Sequence, residues 1–209
     1  MSDENLLLVE GNEDQHVVWH LTNAHGIVRG TIEVKPMQGA QNLLQALPLE
    51  LRSDKTKKLG IVVDADTDLA ARWESIRNIL ISNRYQNVPA APLAEGTVVE
   101  LESLPLVRVP TVGVWIMPDN RTTGMLEDFV SFLGARTDPL WAVADGCLNE
   151  ITAPRFKPNY RIKAQLHTWL AWQQEPGSPM ALAITRTFLD AHAPHAERLI
   201  AWIRTLFNL

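Results

Sequence analysis

Cysteine is almost absent from the sequence, since Cys147 is the only one in 209 residues. A single thiol cannot form an internal disulfide, which excludes the small disulfide-stabilised secreted domains and favours a reducing compartment. Cys147 itself is expected to be a small buried side chain. No apolar run approaches the roughly 18 residues that a membrane helix needs, and the start MSDENLLLVE is acidic, with too short an apolar stretch for a signal peptide. We therefore expect a cytoplasmic protein with no membrane partner.

Basic residues are also scarce. The 19 Lys and Arg residues are outnumbered by 24 Asp and Glu residues, and the net charge is -5. The chain thus lacks the basic patch that is typical of nucleic-acid-binding proteins. Nucleic acid is not excluded as a partner, however, because a bound metal ion can reverse the sign of an acidic site.

Apolar runs that are typical of strands alternate with helical patterns over the first two-thirds of the chain. We predict strands at residues 6–9, 30–34, 59–63 and 112–117, and helices at residues 14–21, 39–51, 68–82 and 124–133, the last with Thr123 as its N-cap. Residues 87–110 contain four prolines and are expected to form a loop with short β segments. Such alternation predicts an α/β fold with a mostly parallel sheet flanked by helices.

The remainder of the chain has helical patterns interrupted by prolines. We expect residues 1–135 to form the α/β core and residues 136–209 to form an all-helical extension. The extension should pack on the core, so that the two make one structural unit.

Acidic residues follow three of the predicted strands: Glu10, the pair Asp64 and Asp66, and Asp119. In an open α/β sheet, ligands bind beyond the carboxyl ends of the strands. Two carboxylates about 4 Å apart repel each other by roughly 4 kcal/mol at an effective dielectric constant of 20, and a divalent cation relieves this repulsion. Oxygen ligands suit Mg²⁺ or Mn²⁺, so the pattern predicts a metal site at this edge.

The same residues resemble the Toprim domain of topoisomerases, primases and overcoming-lysogenization-defect nucleases. VEGNED is similar to its first motif, with Glu10 as the acid and Asp14 four residues later, and VVDAD is similar to the second, with Asp64 and Asp66 as the metal-binding pair. GMLEDF resembles the Leu-Glu motif of the nuclease branch, which implies that Glu127 is a further metal ligand.

The nuclease branch also has a late lysine, and Lys163 takes its place here. This lysine would stabilise the charge that develops on a phosphate. The Toprim resemblance covers residues 5–130, and the whole chain resembles an uncharacterised bacterial family of Toprim-like proteins of unknown function. The sequence has neither a topoisomerase tyrosine module nor the zinc-binding cysteines of bacterial primases, which puts those two activities in doubt.

Several of these residues also have ordinary structural interpretations. Asp68 is expected to cap a helix rather than bind metal, while Asp14 is either a first-turn helix acid or an outer-shell residue. Lys163 can equally be an exposed helix lysine. His16 and His20 have the spacing of a zinc pair but lack the glutamate of the HExxH motif, so a packed or solvated helix face is the better interpretation. His192 and His195 are expected on the surface.

The function that these observations favour is that of a metal-dependent nuclease or other phosphodiester hydrolase. Glu10 and Lys163 would be catalytic, and Mg²⁺ or Mn²⁺ would bind to Glu10, Asp14, Asp64, Asp66 and Glu127. The alternative is a non-catalytic Toprim-like module that binds a protein partner in a bacterial assembly, for example in phage defence.

Overall fold

The computed structural model describes residues 4–100 and 109–209, so part of the loop predicted at residues 87–110 lies outside the described residues. The strands are β1 (Asn5–Val9), β2 (Glu33–Pro36), β3 (Lys58–Asp64), β4 (Thr97–Val99) and β5 (Thr111–Met117). They form one sheet in the order β2-β1-β3-β5-β4, in which β2, β1, β3 and β5 are parallel and β4 is antiparallel to β5. The predicted α/β fold class is confirmed.

The eight α-helices of the described residues surround this sheet and continue into the second half of the chain. They are α1 (Asn12–Ala24), α2 (Ala40–Glu50), α3 (Leu69–Ser82), α4 (Leu126–Ser131), α5 (Pro139–Asn149), α6 (Arg161–Leu170), α7 (Met180–Thr185) and α8 (Pro194–Phe207). None of the helices in the described ranges is both long and apolar enough to cross a membrane.

Each face of the sheet has its own hydrophobic core. On one face, α2 and α3 cover alternate residues of the strands through Leu43, Leu47 and Trp73. On the other face, α1 and α4 pack together with helices α6 to α8. Strand β3 is therefore buried on both sides, which explains its uninterrupted apolar sequence.

Register brings the carboxyl ends of the central strands together. Val9 of β1 pairs with Val62 of β3, and Asp64 of β3 pairs with Met117 of β5. The residues that follow β1 and end β3 therefore lie side by side, and α1 and α4 begin at the same edge.

Three local predictions were wrong. Strand β2 comprises Glu33–Pro36 rather than residues 30–34, because its register is set by pairing with β1. Helix α4 begins after Met125, and not after Thr123, because Gly124 forms an antiparallel bridge with Asp66. Cys147 is exposed on α5, since the buried side of this helix is formed by Ala144 and Leu148.

Candidate functional site

A cavity of about 380 Å³ opens at the carboxyl edge of the sheet. Its walls come from the start of α1, the end of β3, the start of α4 and α6. All six residues that the sequence singled out for metal binding or catalysis line it, namely Glu10, Asp14, Asp64, Asp66, Glu127 and Lys163. Residues separated by as many as 153 positions in the chain thus share one site.

Asp14 is held at the first turn of α1. Its Oδ2 atom accepts a hydrogen bond of 2.9 Å from the backbone N–H of Gly11, which caps the helix. Its Oδ1 atom is buried and has no hydrogen-bond partner among the described residues. The residue is only 7% exposed, so this oxygen has lost contact with solvent without gaining a protein donor.

Asp64 is the last residue of β3 and, like Asp14, has a carboxyl oxygen without a hydrogen-bond partner among the described residues. Its Oδ1 atom is buried without a partner in the described part of the chain. Its backbone N–H donates a 3.2 Å hydrogen bond to Oε2 of Glu10, which joins the ends of β1 and β3 through a side chain. Leaving a buried acceptor unsatisfied costs about 1–3 kcal/mol, so these two oxygens mark a site that lacks a positively charged or donating partner.

Mutual repulsion and burial alter the protonation of these carboxyl groups. Burial, followed by the charges of Glu10 and Glu127, raises the pKa of Asp14 to about 7. Burial and then the charges of Asp14, Glu10 and Glu127 raise the pKa of Asp64 well above its usual range. Burial also raises the pKa of Glu10, although the hydrogen bond from Asp64 opposes it. Such shifts are concentrated at functional sites.

Asp66 lies at the rim of the cavity and is paired with a cation. Its Oδ2 atom is 2.7 Å from Nη2 of Arg72, whose Nε atom donates a 2.8 Å hydrogen bond to the carbonyl of Asp64. The backbone of Asp66 exchanges two hydrogen bonds of 2.8 Å with Gly124. This bridge connects the β3 loop to the segment before α4, and so holds Asp66 near Glu127.

Lys163 reaches the acidic residues from α6. Its Nζ atom is 2.7 Å from Oε1 of Glu127 and 3.1 Å from Oε2 of Glu13. The side chain of Glu127 is only 4% exposed, whereas that of Lys163 is 43% exposed, so solvent reaches this pair from the lysine side. Burial lowers the pKa of Lys163, but hydrogen bonds and charges from Glu127 and Glu13 outweigh burial and raise it above the ordinary value.

The acidic residues of the cavity are suitable ligands for a divalent cation. They supply carboxylate oxygens, and two of these oxygens, on Asp14 and Asp64, have no hydrogen-bond partner in the described part of the chain. Among the described residues, however, no three carboxylates of this cluster have oxygen atoms that all lie within 4.8 Å of one another. Side-chain rotation would be needed for several of them to bind one ion. Arg72 and Lys163 already neutralise the two outer carboxylates, and Asp14, Asp64 and Glu10 remain as the inner set.

Other predicted residues lie outside this cluster. Asp68 caps α3, since its Oδ1 atom accepts a 2.9 Å hydrogen bond from the N–H of Ala71. Asp119 forms a turn in which one carboxyl oxygen accepts three hydrogen bonds from Arg121 and Thr122. His20 contacts Oγ1 of Thr185 at 2.6 Å, so the helix-face interpretation holds for it.

Sequence reasoning missed three residues of the site. Glu13 and Tyr160 line the cavity and Arg72 contacts two of its acidic residues. Glu13 stands within the VEGNED motif and could have been found by its position next to Asp14. Arg72 lies in the first turn of α3, and Tyr160 immediately precedes α6. Neither residue is next to a sequence motif that would indicate a role in the site.

Comparison with known proteins assigns the chain to a family but does not assign it a function. No curated protein and no solved structure matches the chain. One family model matches residues 4–208, nearly the full length. The chain therefore belongs to the family described as "Protein of unknown function (DUF3226)".

Proposed function

We propose that this protein is a Toprim-like, divalent-metal-dependent phosphodiester hydrolase that acts on nucleic acid. The observation that supports this best is the pair of buried, unpartnered oxygens on Asp14 and Asp64, in a cavity that Glu10, Asp66 and Glu127 also line. Only a cation or a hydrogen-bond donor would satisfy them, and Mg²⁺ and Mn²⁺ prefer oxygen ligands.

The inner carboxylates Glu10, Asp14 and Asp64 would hold the ion, with Asp66 and Glu127 completing the set. The bound ion would lower the pKa of a water molecule and neutralise charge on the phosphate. Glu10 lines the same cavity and would also be close enough to accept a proton from that water. Lys163 would give up its ion pair with Glu127 or with Glu13 and contact a phosphate oxygen. Its positive charge would stabilise the transition state there.

Metal binding is tested by the effect of Mn²⁺ on thermal stability. A ligand that binds only the folded state stabilises it by mass action, about 2.7 kcal/mol at one hundred times the dissociation constant. We expect Mn²⁺ to raise the melting temperature of the wild type and Asp64→Asn to lose most of this shift. Asp68→Asn is the matched control, because it removes a nearby charge outside the cluster while asparagine retains the helix cap.

Catalysis is tested separately on single-stranded, duplex and supercoiled DNA and on RNA, at low salt, with purified Asp64→Asn as the contamination control. We expect cleavage to need Mn²⁺ or Mg²⁺. Lys163→Ala should lower the rate by about 10² to 10³, the usual effect of removing one transition-state donor, with metal affinity little changed. Equal cleavage by the wild type and Asp64→Asn would show that the activity is a contaminant.

A second candidate is the non-catalytic interaction module, and α5 favours it. This helix exposes two apolar side chains, Leu140 and Val143, the latter 52% exposed, and the exposed Ile151 follows its end. Bound metal without cleavage of any substrate, together with a protein association that Val143→Asp abolishes, would support the module over the enzyme.

A further inference from the structure

A second group of side chains that could hold a metal ion lies at the other end of α1. His25 immediately follows this helix, His192 precedes α8, and Glu197 lies in the first turns of α8. Each offers one ligand atom, and the three atoms all lie within 4.8 Å of one another. Because α1 has 13 residues and rises about 1.5 Å per residue, the group is about 20 Å from the acidic cavity.

Hydrogen bonds prepare His25 to act as a ligand. Its Nε2 atom is 2.8 Å from the backbone carbonyl oxygen of Ala191. A carbonyl can only accept, so Nε2 carries a proton, and in the neutral imidazole Nδ1 then has the lone pair. This is the arrangement in which metal-binding histidines are held by an outer hydrogen bond. The carbonyl of His25 in turn accepts a 2.9 Å hydrogen bond from Nη2 of Arg204, which fixes the backbone there.

The other two residues are already paired and can move. Nδ1 of His192 is 2.9 Å from Oε1 of Glu197, and the rings of His25 and His192 have centroids 4.6 Å apart. The side chains of His192 and Glu197 are 64% and 50% exposed, so small rotations cost little packing. In a tetrahedral site with bonds of about 2.0–2.1 Å, ligand atoms are roughly 3.3 Å apart, which such rotations can reach.

We infer that His25, His192 and Glu197 form a binding site for Zn²⁺ or a similar nitrogen-preferring transition-metal ion. Two imidazoles and one carboxylate match the ligand types of zinc, and solvent would supply the fourth ligand. The site would connect the end of α1 to the start of α8. It does not depend on the acidic cavity, whose carboxylate oxygens favour Mg²⁺ or Mn²⁺ instead.

The test uses the full-length protein and two metals. Zn²⁺ binding is measured by calorimetry, and Co²⁺ serves as a spectroscopic substitute because the intensity of its visible absorption distinguishes a tetrahedral site from an octahedral one. The variants are His192→Ala and Glu197→Gln. The controls are His16→Ala, which tests the alternative zinc pair on α1, and Asp64→Asn, which tests the acidic cavity. Circular dichroism checks that each variant is folded.

We expect the wild type to bind one equivalent of Zn²⁺ at this site. His192→Ala and Glu197→Gln should each weaken binding by about tenfold or more, since loss of a ligand exceeds the effect of losing an outer contact. His16→Ala and Asp64→Asn should bind as the wild type does. No Zn²⁺ binding by the wild type, unchanged binding by His192→Ala, or loss of binding in His16→Ala would each overturn the inference. Mn²⁺ stabilisation that disappears in Asp64→Asn would be unaffected by any of these results.

Discussion

Among the described residues, the carboxyl groups of Asp14 and Asp64 have the least favourable electrostatic environment for a negative charge. Both are buried, both have an oxygen without a hydrogen-bond partner, and each lies in the field of Glu10 and Glu127. In the absence of metal, protonation removes one charge from such a group. The acidic cluster therefore couples folding stability to pH.

We predict that the metal-free protein loses stability as the pH rises from about 4 to about 7. Folding raises the pKa of Asp14 from 3.8 to about 7, so in this window the folded state holds a proton that the unfolded state has released. Each pKa unit corresponds to about 1.4 kcal/mol. Urea unfolding at pH 5 and pH 7.5 should show this loss in the wild type. Asp14→Asn should reduce it, because asparagine does not titrate. The variant should still fold, because the asparagine side chain can accept the hydrogen bond from Gly11.

A chelator must be present in these measurements, since bound metal would favour the deprotonated carboxylates and reverse the trend. Asp68→Asn is the control variant, because it also removes one carboxyl group, keeps the cap of α3 and lies outside the cluster. An unchanged slope in Asp14→Asn would mean that Asp14 does not titrate in this range.

At the scale of elements, α8 packs closely on the sheet because two central strands have a glycine beneath it. Gly60 of β3 pairs with Gly113 of β5, and Leu206 of α8 lies over both. A Cβ atom added at Gly113 would lie 2.5 Å from Cδ2 of Leu206 and 3.0 Å from Cζ2 of Trp202. These glycines therefore permit close approach of the helix, whose side chains fill the space.

Gly113→Ala should destabilise the protein by about 1–3 kcal/mol, the usual cost of overpacking a core. The matched control is Gly146→Ala on the exposed side of α5, where an added Cβ atom has no neighbour within 4 Å. This control should stabilise by about 0.5–1 kcal/mol, because alanine favours the helix. Chemical denaturation measures both changes, and equal effects of the two substitutions would contradict the packing argument.

At the scale of the whole molecule, one hydrophobic core joins the α/β region (residues 1–135) to the helical extension (residues 136–209). Val17 and Trp115 of the α/β region belong to the same buried cluster as Trp169 and Leu199 of the extension. Lys163 and Glu13, which are 150 positions apart, also meet at the candidate site. The helical extension thus completes both the core and the cavity.

We predict that the full chain unfolds in one cooperative step and that residues 1–135 do not fold alone. Without α6 to α8, one face of the sheet would expose its apolar side chains to water, at about 25 cal/mol for each Å². Tryptophan fluorescence and far-ultraviolet circular dichroism should give coincident unfolding curves for the full chain. Two separated transitions, or a fragment with a cooperative melt, would contradict this.

The sequence alone determined the parts of the protein that depend on local patterns. Continuous apolar runs located β1, β3 and β5, and acidic residues at their ends located Glu10, Asp64 and Asp66, because strand direction in a parallel sheet carries such residues to one edge. The cap of α3 at Asp68 was also predicted correctly, since capping involves only the next few residues.

Only the tertiary structure decided which charged and polar side chains from distant parts of the chain contact each other. The ion pair of Lys163 with Glu127, the contact of Arg72 with Asp66, and the approach of His25 to His192 join different elements of the fold. The start of α4 and the bounds of β2 likewise follow from pairing with distant segments. Local preference cannot encode these contacts, because they form only when packing of the sheet and helices brings separate parts of the chain together.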